Sequence, residues 1–394
     1  MKSLIKGIFL TGIYTLFSHL LPGQETLKWY KGNLHTHSLW SDGDEFPEVI
    51  MDWYKTNGYH FVGLSDHNIL QEGEKWARIP KSPIRREAFE DYLQAYGEDW
   101  VEYRRDSLLT VKLKTLPEYR GLFEEEGKFL IIKAEEITDS YKKKPIHMNA
   151  TNVQGLIRPQ GGKSVAEVMQ NNINAVREHR EKTGEPVLIH LNHPNFYWAV
   201  KARDLKKVEG ERFFEVYNGH PAVENYGDSK HLSTEEIWDN VNLHYRKNGQ
   251  PLLLGLATDD SHNYHAFGKD FSNYGRGWVM VRTDELTPAK LIEAMERGDF
   301  YSSTGVTLST WSTEDQNIQI EVEAEPGVEY RIQFIGVKKG DKKSTVLEEI
   351  TGTKASYPLK EVYFVRAKII SNRLQENPYI PGDFETAWTQ PVWE

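Results

Sequence analysis

The sequence predicts an α/β chain that ends in an all-β region. Short apolar runs recur along the chain, and most end in His, Asp or Glu: GNLHTH, FVGLSDH, FLIIKAEEIT, PVLIHLNHP and PLLLGLATDDSH. The first two flank a helix signal, which makes a strand–helix–strand unit. Beyond about residue 306 the pattern becomes strand-like in NIQIEVEAE, EYRIQFIGV and EVYFVRAKII, with Gly-Asp and Pro-Gly turns between them.

The elements follow in order. Residues 1–24 pair Lys2 and Lys6 with an apolar run from Gly7 to Phe17, too short to span a bilayer and of the kind found in a secretory signal. Export to the periplasm or the exterior is therefore expected, with no membrane span. A strand should end across Asn33–His37. Pro47 opens a helix whose face carries Val49, Ile50, Trp53 and Tyr54, and Gly58 stops it. The next strand should end at Asp66 and His67. In the insertion at about 75–127, Phe89, Tyr92, Leu93, Tyr96, Trp100 and Tyr103 recur at helical spacing, so a helical stripe packed on the core is expected. Thr287 and Pro288 start a last helix bearing Leu291, Ile292 and Met295, closed by Gly298.

Composition narrows the function. A chain of 394 residues holds roughly two to three domains of about 100–200 residues each. A net charge of −10 disfavours a nucleic-acid partner. Cysteine is absent, which excludes disulfides and thiolate metal sites, so any metal must be held by His, Asp and Glu.

Those residues cluster. His35 and His37 lie at positions i and i+2, which point the same way in a strand, and Asp42 follows closely. SDH places Asp66 beside His67. Glu135 or Glu136, His147, His190 or His193, Asp259 or Asp260, and His262 complete the set. If the run ends converge on one rim, as in β/α barrels, they form a metal centre. Imidazole and carboxylate suit Zn, Mn or Fe, and clustered ions would activate a water.

HTHSLWSDG, SDHN, the acidic strand end, His147, NHP and DDSH together resemble the polymerase and histidinol phosphatase (PHP) superfamily, in order across about residues 30–305. The leader, the FYSSTGV segment and the C-terminal β region resemble its secreted carbaryl-hydrolase-like branch. The resemblance implies a distorted (β/α)7 barrel over 28–305 and a small antiparallel β-sandwich over 306–394. It further implies a centre of two or three divalent ions. One ion would take His35, His37, Glu136 and Asp260. A second would share Glu136 with His147 and His193. A third would use Asp42, His67 and His262; some family members have His where this chain has Asp42. Glu136, Asp260 and His193 match the family spacing better than Glu135, Asp259 and His190.

Softer assignments surround this set. Asp66 is expected to orient a neighbour. Asn218 and His220 in NGHP suit substrate contact or leaving-group protonation, and Arg276 in GRGW suits a bidentate grip on an anion. Lys142–Lys144 read as a solvated loop. His60, His179, His231 and His244 read as structural or exposed, and Trp311, Trp388 and Trp393 as packing rather than sugar-stacking residues. The activity expected is phosphoester hydrolysis through a metal-bridging hydroxide, acting on a small-molecule or glycan-linked ester. The alternatives are cleavage of a carbon ester, amide or carbamate at the same centre, or a non-catalytic glycan- or partner-binding protein.

Overall fold

The computed structural model describes residues 27–394; the leader expected over 1–24 lies outside them. A mixed sheet runs through the molecule in the order Leu254–Thr258, Phe213–Asn218, Leu188–Leu191, Lys144–Thr151, Leu130–Tyr141, Phe61–Leu64, Lys28–Asn33, Trp278–Thr283, Phe300–Ser303, Phe384–Thr389, Val362–Leu374, Tyr330–Lys338 and Thr345–Thr351. The strands Phe61–Leu64, Phe213–Asn218 and Leu254–Thr258 are buried along their whole length. This accounts for their near-continuous apolar sequence, since both faces of such a strand are covered.

Lys28–Asn33, Phe61–Leu64 and Leu130–Tyr141 pair in parallel, as do Leu188–Leu191, Phe213–Asn218 and Leu254–Thr258. Lys144–Thr151 joins the two groups and is antiparallel to both neighbours. The two ends of this set meet. The Asp260 N–H donates to the His35 carbonyl at 2.9 Å and the His37 N–H to the Ser261 carbonyl at 3.0 Å, in a parallel bridge of Thr36 with Ser261. That contact draws the DDSH and HTH segments together.

Helices cover the sheet. Pro47–Thr56 begins with Pro at its first turn and buries Ile50, Met51 and Tyr54. Val165–Thr183 is capped by the Ser164 hydroxyl, which accepts from the Glu167 N–H, and is closed by left-handed Gly184. Pro288–Arg297 has the expected start at Thr287, whose side chain accepts from the Lys290 N–H, and the expected stop at Gly298.

The insertion differs from the all-helical expectation. It holds two helices, Pro83–Tyr96 and Leu116–Phe123, and the first stops at Gly97, whose φ is +79°. Trp100 lies beyond it, and Tyr103 belongs to a small antiparallel sheet of Trp76–Ile79, Leu109–Lys112 and Tyr103–Arg105. The aromatic stripe still packs on the body. Phe46 stacks on Tyr92, and the Tyr92 hydroxyl and Trp100 indole N–H both donate to Glu48, at 2.7 and 2.9 Å.

The C-terminal strands are divided. Four of them extend the large sheet through Phe384–Thr389, while Leu308–Glu314, Asn317–Val322 and Lys354–Pro358 form a separate antiparallel sheet. Ile318, Ile320 and Val322 of the small sheet share a core with Ile332, Phe334, Ala367 and Ile369 of the large one. Trp311 and Trp388 are buried there, and Trp393 is 42% exposed beside Arg246. Among the described residues no helix is long and apolar enough to cross a membrane.

Candidate metal centre

His35 and His37 leave the first strand in sequence and project to the same side, as two-residue spacing requires. His35 Nε2 lies 3.2 Å from Asp260 Oδ1 and 3.6 Å from Glu136 Oε1. His37 Nε2 lies 3.2 Å from Asp260 Oδ1 and 3.4 Å from Glu136 Oε2. The turn that follows returns Asp42 over these rings. Gly43 permits it, because a Cβ there would meet the His37 carbonyl group at 2.6 Å. Asp66 braces the same turn by accepting from the Ser38 N–H at 2.9 Å and hydroxyl at 2.8 Å and the Ser41 hydroxyl at 2.6 Å.

Glu136 is central. His67 Nδ1 lies 2.7 Å, His147 Nδ1 3.0 Å and His193 Nε2 3.6 Å from its oxygens. His147 reaches this rim from the middle of its strand, not the end. Residues Lys142 and Lys143 connect Leu130–Tyr141 to Lys144–Thr151 as a tight hairpin rather than a long loop, and the antiparallel return pairs His147 with Thr138. Asp42 bridges His67 Nε2 at 3.5 Å and His262 Nε2 at 3.4 Å.

Four candidate groups therefore overlap, each with ligand atoms within 4.8 Å of one another: His35–His37–Asp260, His35–Glu136–His193, His67–Glu136–His147 and His37–Asp42–His67–His262. Every residue expected as a ligand falls in one of them. Of the paired alternatives, Glu135 faces away and accepts from the Ile157 N–H at 2.6 Å. Asp259 accepts from the Tyr54 hydroxyl at 2.8 Å and from the backbone of Gly275, Arg276 and Gly277. His190 belongs to a fifth group with His35 and Glu215.

The electrostatics favour a cation. His37 Nε2, Glu136 Oε2 and His147 Nδ1 are buried without a hydrogen-bond partner, although buried polar atoms are almost always satisfied. Burial disfavours a charged His35, yet Asp260, Glu215 and Glu136 outweigh it and hold its pKa well above the ordinary value. Burial opposes protonation of His67 too, and Glu136 and Asp42 overcome it, to about 11. For Glu136 burial acts upward, but His67, His147 and His35 pull it well below the carboxylate range. A divalent ion would satisfy the same carboxylates and take the imidazole lone pairs. His193 and Asp260 also have positive φ, 23° and 50°, a conformation that costs of order 1–3 kcal/mol for such residues and clusters at functional sites.

The other assigned residues fall into place differently. Asn218 donates to Asp260 at 3.0 Å and Glu215 at 2.8 Å, so it orients the acids. His220 lies with its ring 5.6 Å from that of His262, and its Nδ1 accepts from the Ala222 N–H at 3.1 Å. Burial lowers its pKa to about 4. A neutral imidazole in that tautomer carries its proton on Nε2. The expectation that Arg276 grips an anion needs correction. Its N–H groups go to the carbonyls of Asn377, Gly219, Phe271 and Gly268 and to Asn273 Oδ1, which leaves no donor for a ligand. The Asp66 side chain contacts the turn and Gln71, and its backbone carbonyl accepts from the Glu136 N–H at 3.2 Å. Among the histidines set aside, His60 accepts from the Lys31 N–H, His179 from the Gln154 N–H, and His231 pairs with Asp228.

Glu215 was not expected. It is fully buried, and its carboxylate binds His35 Nδ1 at 2.7 Å, the His193 N–H at 2.7 Å and the Thr258 hydroxyl at 2.7 Å. This sets the His35 tautomer with Nε2 turned to Asp260 and Glu136. Asn192 does similar work by donating to Glu136 at 2.7 Å.

No family model and no curated protein matches the sequence. Among solved structures, the chain is similar to a two-domain protein from Bacteroides vulgatus containing a predicted PHP-like metal-dependent phosphoesterase, with a TM-score of 0.40 and 12% identity over 92% of this chain and 95% of that one. It is also similar to a candidate metal-dependent phosphoesterase from Bifidobacterium adolescentis, with a TM-score of 0.33, 11% identity, and 68% and 94% coverage. An amidohydrolase from Chromobacterium violaceum with bound sulfate and no metal gives a TM-score of 0.30, 11% identity, and 68% and 96% coverage.

Proposed function

We propose that the chain is a metal-dependent hydrolase of PHP type whose substrate is a phosphoester. The observation that carries this reading is the convergence of imidazoles and carboxylates around Glu136, with buried ligand atoms that no protein group satisfies. His35, His37, Glu136 and Asp260 would hold one ion, Glu136 with His147 and His193 a second, and Asp42, His67 and His262 a third. Bound divalent ions supply Lewis acidity and acidify water toward neutral pH.

The chain's own groups do the rest. Glu215 locks His35, Asn218 aims Asp260, and Asp66 holds the turn that carries Asp42. His220 holds an Nε2 proton beside the centre and is the candidate donor to a leaving group. No covalent protein nucleophile is required. In this reading the ring of strands closed at His35 and Asp260 is a PHP-type barrel, and the divided C-terminal strands are a sandwich packed onto it. The leader read from Lys2, Lys6 and the apolar run directs export, which N-terminal sequencing of the secreted protein tests.

A substrate panel decides the reaction. Turnover of aryl and alkyl phosphoesters that is abolished by chelation and restored by Mn, Zn or Fe is the expected result. Preference for aryl esters or carbamates would replace phosphoester hydrolysis with carbonyl chemistry at the same centre. Ligand binding with no metal-dependent turnover would favour a binding protein.

A further inference from the structure

Just past His193 the chain makes a compact loop. The Phe196 N–H donates to the His193 carbonyl at 2.9 Å and the Trp198 N–H to the Asn195 carbonyl at 3.1 Å. The Phe196 ring lies 4.9 Å from that of His193. Tyr197 is 71% exposed, and both Tyr197 and Trp198 have positive φ. Behind this loop is a cavity of about 290 Å³, whose wall includes Asn195, Trp198, Lys201, Arg203, Lys206 and Lys230. Trp198 lies five residues beyond His193, so their Cα atoms are within about 18 Å of each other by chain length alone.

The charge of this cavity runs against the rest of the molecule. The chain carries −10 overall, yet no Asp or Glu lines the cavity. Among the described residues no ion pair is found for Lys201, Arg203, Lys206 or Lys230, and burial alone acts on Lys206. Two acids of the flanking segments, Asp204 and Asp228, already accept hydrogen bonds. Asp204 accepts from the Lys201 backbone N–H at 3.2 Å. Asp228 accepts from His231 Nδ1 at 2.9 Å and from the Lys230 backbone N–H at 2.6 Å. Partial burial pulls the Lys206 pKa down, as it does for an ammonium that lacks a counterion. His231 stacks on the Trp198 indole with centroids 4.1 Å apart, and Val200, Leu232 and Ile237 add an apolar wall.

Unpaired cations beside an aromatic and apolar wall match a ligand with an oxyanion at one end and a ring at the other. The volume lies at the small end of ligand pockets, about 300–1,000 Å³, so it suits one ring rather than an oligomer. We propose that this cavity is a binding site for a single-ring oxyanion, an aryl or sugar phosphate, sulfate or carboxylate, held by Lys201, Arg203, Lys206 and Lys230 with the ring against Trp198. It is separate from the candidate metal ligands and does not depend on the hydrolytic reading.

The test is calorimetric titration of the full-length protein with phenylphosphonate, glucose 6-phosphate and inorganic phosphate, in the presence of chelator. Phenylphosphonate cannot lose its phosphorus by ester hydrolysis. It is expected to bind with chelator present and to weaken about tenfold or more in Lys206→Gln/Lys230→Gln, the scale of a lost charge-assisted contact. Trp198→Ala should weaken phenylphosphonate more than inorganic phosphate, and the response to glucose 6-phosphate tells a sugar ring from an arene. His37→Ala should leave all of these values unchanged, so failure of the hydrolytic reading is read separately. Absence of binding to the wild-type chain, loss of binding on chelation, or an unchanged affinity in the lysine variant would each overturn the proposal.

Discussion

Two clusters in this molecule gather buried carboxylates and partner them differently. Around Arg366 the charges are matched. Its guanidinium grips Asp239 in two bonds of 2.8 and 3.1 Å and reaches Glu235 at 3.0 Å, and it lies over the Trp238 ring. Burial works against its charge, but Asp239 and Glu235 raise its pKa above the ordinary value. Each acid of this cluster has a cation within the protein, Arg366 or Lys368, although Arg366 Nη1 itself is buried without a partner. Around Glu136 acids and imidazoles converge, the ion-pair partners of Glu136 and Asp260 among the described residues are histidines, and several buried nitrogen and oxygen atoms face one another with no partner. The difference teaches how to separate a structural ion network from a ligand set: in the first every acid is matched to an Arg or Lys, and in the second the acids face only imidazoles as ion-pair partners.

Breaking the second cluster should have the largest effect on function. Glu136→Gln or Asp260→Asn is expected to lower metal-dependent turnover by more than about 100-fold, beyond the loss typical of an outer hydrogen-bond partner, and to reduce the bound metal per chain. Steady-state kinetics with elemental analysis reads both. Breaking the first should act on stability alone. Arg366→Met leaves Asp239 buried and unpaired, at a cost of about 3–5 kcal/mol, while turnover per folded molecule stays unchanged; denaturant unfolding beside an activity assay checks this.

Glu215 lies between the two cases, a buried acid that closes on the centre rather than on itself. Glu215→Gln should weaken metal affinity by about 10–100-fold and leave the melting temperature of the chelated protein nearly as it was. Competition with a chromogenic chelator measures the first quantity. An equal loss of stability in the chelated protein would make Glu215 a structural acid instead.

Glu211 gives the smallest effect. It is buried with one oxygen unpartnered, and burial raises its pKa to about 8. The folded state therefore holds a proton that the unfolded state releases at ordinary carboxyl pH. Its contribution to stability is full at low pH and is lost as pH rises from the ordinary value toward about 8. Glu211→Gln should relieve that loss of stability near pH 7.5, with no gain below pH ~4. Unfolding at the two pH values tests the sign.

Much of the candidate site was legible because its residues stand at the ends of apolar runs. HTH, SDH and DDSH announce chemistry by placing ionisable side chains where a buried strand stops. The hidden parts are those where tertiary context overrides that rule. Glu215 sits inside FFEVYN, where the only signal is an acid in a strand buried on both faces, which demands a partner. His147 is not at a strand end, and only the hairpin at Lys142 and Lys143 brings it to the rim. Arg276 offered a charge but no hint that neighbouring carbonyls would absorb it. In the insertion, helical aromatic spacing ran on past Gly97, and the glycine was the better guide. At the C-terminus, alternation identified strands but not the sheet each joins, because pairing across Phe300–Ser303 and Phe384–Thr389 is a long-range fact.

The most direct test of the central claim is the metal-to-protein ratio of the purified chain by elemental mass spectrometry, with Glu136→Gln beside it. The account predicts about two or three transition ions per wild-type chain and a clear loss in the variant. A ratio near zero, persisting after incubation with Mn, Zn and Fe, would contradict it.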